Sequence, residues 1–226
     1  MVVLALETVT PEGSIALFRD GVITVAPGDT TQPHAVRLPV TVERWLQHHD
    51  LPLSAVDRLA VVTGPGSFTG VRIGMAAVQG LAATRGFRIA PVPTLDALLE
   101  GWRHHRSDTT PVTVVSCLDG MRGEVFTSVS RWDGTHAAEL DAPAVLAPTA
   151  EWLAHWPSPV VVIGSGAVRY ATIWEGAGAV VQSEAEPLAA SAARLAARPE
   201  WPQVPPDGLQ AVYVRRPDVE LARDRR

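Results

Sequence analysis

Short apolar runs separated by turn residues open the chain. "VVLALETV", "GSIALFRD" and "GVITVAPG" are broken by Gly, Pro and Asp, which predicts a three-stranded antiparallel meander over the first 28 residues. The period then changes. Val36, Val40, Trp45 and Leu46, with Leu38 and Val42 between them, fit an imperfect amphipathic helix that ends at "HHDLPLS". "RLAVV" predicts a short buried strand running into "TGPGSFTGVRIGMAAVQGLA", a Gly-Pro-Gly turn followed by a helix of small and apolar residues. "RIAPV" reads as the next strand, and "TLDALLEGW" as a helix that Thr94 would cap, with Leu95, Leu98, Leu99 and Trp102 on one face.

The polar stretch "RHHRSDTTP" breaks this pattern and "VTVVSCL" starts a fresh strand, so the expected division is a first α/β domain at 1–106 and a second at 107–226. In the second, the pattern predicts a hairpin across "DGMRGE", a short helix at "TAEWLAHW", a strand "VVVIG" and an alanine-rich helix around Leu188 to Ala197. From Pro199 onward the chain is rich in proline and charge, which predicts a tail that is extended or partly disordered unless something docks it.

The helix after the glycine turn carries the most information. Val71, Met75, Val78 and Ala82 form one apolar stripe and Ile73, Ala77 and Gly80 a second; only Arg72 and Gln79 are strongly polar between Val71 and Ala83. A helix apolar nearly all round must be covered on more than one side, by a second layer or by a partner. Gly66, Gly70 and Gly74 recur every fourth residue, a spacing that admits another backbone. Each glycine within the helix costs about 1 kcal/mol against alanine, so close packing is the expected compensation.

Composition narrows the function classes. Apolar residues make up 46% and charged residues 19%, a globular balance. A net charge of -5 argues against general nucleic-acid binding, and because all 19 basic residues are arginine, lysine chemistry is excluded. The single cysteine, Cys117, forms no internal disulfide and is expected to be buried and inert. No Arg/Lys-led apolar leader opens the chain and no apolar run reaches the ~20 residues of a membrane span, so a soluble cytoplasmic protein is expected.

The strand, turn and helix start around Gly64 to Gly70 would point backbone N–H groups and a positive helix end at an anion. Candidate phosphate or nucleotide residues are Glu7, Thr8, Gly64, Gly66, Ser67 and Thr69. The standard signatures fail, however. A Walker loop needs lysine after its second glycine, whereas five residues after Gly64 stands Thr69 and five after Gly66 stands Val71. The Gly64, Gly66, Gly70 spacing follows a meander and a helix, not the first strand of a βαβ unit. Glu7 either holds a metal or a phosphate-bound water or is simply solvated at its turn. No histidines stand at H-x-x-x-H or H-E-x-x-H spacing, so no metal site is legible. Ser67 lacks the G-x-S-x-G elbow of a hydrolase.

Taken together, "GPGSFTGVRIGMAAVQGLA", the preceding "LALETVTPEGSIALF" and the following "PVPTLDALL", "DGMRGEVF", "VIGSGA" and "YVRRP" closely resemble the bacterial TsaB (YeaZ) family over nearly the whole chain. The resemblance implies an actin/Hsp70-like (ASKHA, RNase H-like) α/β fold of two related domains, each a mixed sheet flanked by helices. It implies a non-catalytic partner and activator of TsaD, the transferase that places threonylcarbamoyl on N6 of adenosine 37 in ANN-decoding tRNAs, with the ATPase TsaE as a further partner. It also implies a homodimer in isolation, only indirect or weak tRNA contact, no cofactor of its own, and ATP or ADP at most at the interface with partners. The partner surface would use Val36, Val40, Gly70, Arg72, Ile73, Gly74, Ala77 and Gly80. The metal-binding histidine pair of TsaD aligns with Thr94 and Leu98, so neither a metal site nor catalytic residues are expected. Two positions depart from the family pattern: Glu7 stands where Asp is usual, and His34-Ala35 where His-Ser is usual. Two competing readings are an autonomous nucleotide-dependent enzyme using the Gly64 to Gly70 turn and a peptidase of the glycoprotease type. A third, direct RNA binding, would use the arginine-rich tail after Tyr213.

Overall fold

The computed structural model describes residues 1–26 and 28–215. The chain forms two compact units: residues 1–107 with 184–211, and residues 108–183 with, among the described residues, 212–215. The expected boundary at 106 therefore marks the first crossing only. The alanine-rich helix, expected in the second domain, folds into the first unit. The end of the Pro/Arg-rich tail, from Arg216 on, lies outside the described residues.

In the first unit β1 (Val2–Glu7), β2 (Ser14–Arg19) and β3 (Val22–Ala26) form the antiparallel meander, and β4 (Arg58–Val62) and β5 (Ile89–Val92) add in parallel, in the order β3-β2-β1-β4-β5. Register sorts side chains by size. Leu4 pairs with Leu17 and Leu59, and Leu6 with Ile15 and Val61, which sends large residues to one face. There α1 (His34–His48) contributes Leu38, Val42 and Leu46, and α2 (Phe68–Ala83) contributes Val78 and Ala82, to one buried cluster. The intervening row is small: Ala5 pairs with Ala16 and Ala60, and Ala60 with Ala90.

Helix α7 (Leu188–Ala196) packs on β1, β2 and β4, and its own sequence, "LAASAARLA", is equally small. Alanine against alanine lets a helix lie close to a sheet, which is why this segment returns across the chain to the first unit. Side chains fix it there. Arg58 donates to the carbonyls of Ala196 and Arg198, and Glu100, on α3 (Thr94–His105), accepts from Arg103 at 2.9 Å and Arg198 at 2.6 Å.

The second unit repeats the plan. β6 (Val112–Asp119), β7 (Val125–Trp132), β8 (Ala137–Leu146), β9 (Val160–Ile163) and β10 (Val180–Gln182) take the order β10-β9-β6-β7-β8, with a meander first and two parallel strands after. Helices α4 (Ala150–Leu153), α5 (Ser165–Arg169) and α6 (Ala171–Gly176) complete it, with Trp174 wholly buried at its core. Cys117 is buried here, and burial pushes its thiol far above its ordinary range. No helix among the described residues is long and apolar enough to cross a membrane.

Candidate functional site

The site is built where the turn after β1 meets the start of α2. Thr8 Oγ1 donates to the Gly70 carbonyl at 2.7 Å, and Ser67 N donates to the Val9 carbonyl at 3.1 Å. Ser67 also caps α2, its Oγ accepting from Gly70 N at 3.1 Å. A Cβ on Gly70 would fall on the Thr8 carbonyl oxygen, one on Gly74 would collide with Thr8 Oγ1, and one on Gly66 would stand 2.9 Å from Val9 Cβ. The glycines therefore make room for residues 8 and 9 of the same chain. The expectation that Gly70 and Gly74 admit another protein's backbone is corrected: both are buried by the first strand's own turn. Beside Gly80, by contrast, a Cβ would meet open space.

Glu7 is buried, 2% exposed, and its carboxylate is fully engaged. Oε1 accepts from Thr10 N at 2.7 Å and Thr10 Oγ1 at 3.0 Å, and Oε2 accepts from Ser14 Oγ at 2.9 Å. Neither the solvated turn nor the free metal-holding acid foreseen from sequence describes it. Burial raises its pKa, and the hydrogen bonds from Thr10 and Ser14 only partly oppose that rise. The sign follows by linkage. A carboxyl whose folded pKa exceeds its ordinary value of 4.5 is held more tightly as the acid in the folded state, so stability falls as pH rises from 4.5 through the folded pKa. Glu7→Gln, neutral throughout, is expected to remove that slope. Denaturant midpoints of the two proteins should diverge in favour of the variant as pH rises through this window, and parallel curves would contradict the assignment.

Much of the polar surface of this turn is used within the chain. Glu7 is bonded to Thr10 and Ser14 of its own turn, Thr8 to Gly70 and Ser67 to Val9 and Gly70, the Gly64 carbonyl accepts from Thr94 N at 2.8 Å, and Gly66 lies against Val9. Of the six candidate residues only Thr69 is exposed without a stated internal role. Thr94 and Leu98 are both buried, and no group of three metal-ligating side chains occurs among the described residues.

The surface of the site lies on the two helices. Val36 is 62% exposed, Val40 46% and Phe68 41%, and the Arg72 guanidinium lies 3.7 Å over the Phe68 ring. Of the residues expected at a partner surface, Val36, Val40, Arg72 and Gly80 are exposed, Ile73 and Ala77 are half-buried against the core, and Gly70 and Gly74 face inward. The second stripe of α2 is thus partly covered within the unit: Ile73 and Ala77, with Met75 of the first stripe and Leu81, pack on the same cluster as α1, and Gln79 donates to the Pro206 carbonyl at 2.7 Å. Sequence reading missed Phe68, whose position at the mouth of α2 was the available signal. It also missed Thr10 and Ser14, polar residues in an ordinary turn that nothing local distinguishes.

Two units with the same strand order, each a meander followed by two parallel strands, define the class as an actin/Hsp70-like two-unit protein, here with its first turn closed on itself. A family model described as "TsaD: tRNA N6-adenosine threonylcarbamoyltransferase" matches residues 18–172. The tRNA threonylcarbamoyladenosine biosynthesis protein TsaB of Bacillus subtilis is 30% identical over 167 residues, covering 73% of this chain and 71% of that protein. TsaB of Escherichia coli is 34% identical over 127 residues, 56% of this chain, and the match spans about half, 53%, of that relative's length. The structure of YeaZ from Pseudomonas aeruginosa superposes with a TM-score of 0.75 at 27% identity, over 94% of this chain and 99% of that one. The chain belongs to the TsaB (YeaZ) family.

Proposed function

We propose that this protein is a non-catalytic partner and activator of TsaD in threonylcarbamoylation of adenosine 37 in ANN-decoding tRNAs, acting in the cytoplasm. What carries the reading is the placement of exposed apolar side chains. The first unit's exposed large hydrophobics among the described residues are Met1, Val22, Val36, Val40 and Phe68, and three of these five stand on α1 and α2. Such residues on neighbouring helices suit a protein partner, and Arg72 beside Phe68 adds a charge for register. The relatives' names place the TsaB family in tRNA threonylcarbamoyladenosine biosynthesis, and the match to a TsaD-type model supports pairing with a paralogue.

The same surface would pair two copies of this chain when TsaD is absent, and TsaE would join the assembled pair. Nucleotide, on this reading, sits with the partners and not in the Gly64 to Gly70 turn, whose polar groups are used internally. Reconstitution tests the proposal. Modification of an ANN-decoding tRNA transcript by TsaD, TsaE and the pathway's other components should depend on adding this chain. Equal yield with and without it would overturn the reading, as would magnesium-dependent ATP turnover by this chain alone.

A further inference from the structure

The buried Glu7 is the centre of a chain of contacts that ends on both helices of the proposed partner face. Its carboxylate holds Thr10 through the backbone N–H and the hydroxyl, and Thr10 Oγ1 in turn accepts from Gly13 N at 3.1 Å. The Thr10 carbonyl bonds His34 Nε2 at 2.8 Å, and His34 is the first residue of α1. Arg37, one turn further along α1, contacts His34 Nδ1 at 2.7 Å and donates to the Glu12 carbonyl in the same loop. On the other side of the loop, Thr8 and Val9 hold Gly70 and Ser67 at the start of α2. Through Ser14 Oγ, which also accepts from Ala189 N at 3.2 Å, the carboxylate is anchored to α7 beneath the sheet.

This arrangement explains why an acid is buried at a cost. α1 begins after Pro33 with no side-chain cap, and its first turn carries no acidic residue. Its N-terminal end is therefore placed by the 8–13 loop and not by its own sequence. Loops of this kind are ordinarily mobile, and a carboxylate taking several hydrogen bonds from one loop fixes it.

We propose that Glu7 is a positioning residue for the partner-binding face, setting the ends of α1 and α2 relative to one another through the 8–13 loop. This rests on the reading of that face as the TsaD contact. Glu7 touches no partner and transfers no group; it acts through Thr10 and Thr8. Glutamine can reproduce it, with its amide oxygen toward Thr10 N and its NH2 toward Ser14 Oγ, whereas alanine releases the loop.

Calorimetric titration of the full chain with purified TsaD, alongside thermal melting, tests the proposal. Glu7→Ala is expected to weaken binding by about tenfold, the loss of one or two ordered hydrogen bonds. Glu7→Gln should restore affinity to near that of the unsubstituted chain. Val115→Ala, in the core of the second unit, should lower the melting temperature without changing affinity. Unchanged affinity in Glu7→Ala would overturn the proposal, and so would an equal loss in Val115→Ala, which would reduce the effect to general stability. If Glu7→Ala does not fold, Thr10→Val decides: a several-fold loss with native melting supports the loop's role, and none refutes it. Val40→Asp separates the two levels. If it too binds as the unsubstituted chain does, the partner face itself is misassigned and the proposal falls with it; if Val40→Asp alone loses binding, the face stands and Glu7 does not position it.

Discussion

Gly70→Ala is expected to destabilise the first unit by about 3 kcal/mol or more, toward the upper end of what overpacking in a close contact costs. The added methyl would land on the carbonyl oxygen of Thr8, a backbone atom that no rotamer change can move aside. Relief requires shifting either the β1 turn, which Glu7 holds, or the start of α2, which Ser67 caps. Gly80→Ala is the matched comparison. The same helix gains a methyl where nothing lies within 4 Å, so the variant should gain roughly the glycine-to-alanine propensity difference, up to about 1 kcal/mol. Urea denaturation of the pair reads both signs. Similar effects from the two substitutions would mean that the β1 turn does not press on α2 as described.

Val40→Asp is expected to lower affinity for TsaD by about two orders of magnitude, with melting unchanged. Val40 is 46% exposed on the side of α1 away from buried Leu38 and Val42, so the folded chain loses little when it becomes polar. At an apolar interface the carboxylate would be desolvated without a partner, a penalty of about 2–4 kcal/mol, and each 1.4 kcal/mol is about tenfold in binding. Self-association of the isolated chain should fall in parallel, because one surface is assigned to both contacts. Sedimentation velocity and titration with TsaD measure the two. Retained affinity together with a native melt would exclude α1 from the interface.

The elements were legible in proportion to how strongly burial shaped their sequences. β1, β2, β4 and β9 are buried nearly end to end and read directly as apolar runs. β8 did not read at all. Its ten residues are exposed or half-buried throughout and include Glu139, Asp141 and Pro143, as expected of a sheet edge protected from further pairing. α1 was legible as a helix, and Val36 and Val40, assigned to a partner surface, are exposed, while Leu38, Val42 and Leu46 are buried roughly half a turn of the helix away; the periodicity alone did not separate the two faces.

The sequence by itself determined the class of protein: the meander, the strand-turn-helix with its spaced glycines, and the mismatch to the Walker and dinucleotide loops are local features, set by periodicity and turn chemistry. Only the tertiary structure decided what those features face. Gly70 meets Thr8, 62 residues earlier in the chain, through one short hydrogen-bonded contact that no local pattern encodes. Ala189 reaches Ser14 across 175 residues because two alanine-rich surfaces fit closely, although alanine content alone specifies no partner. Glu7 is the same case in a charged residue: its side chain reads as a turn acid until burial and three converging donors make it the fixed point of the loop.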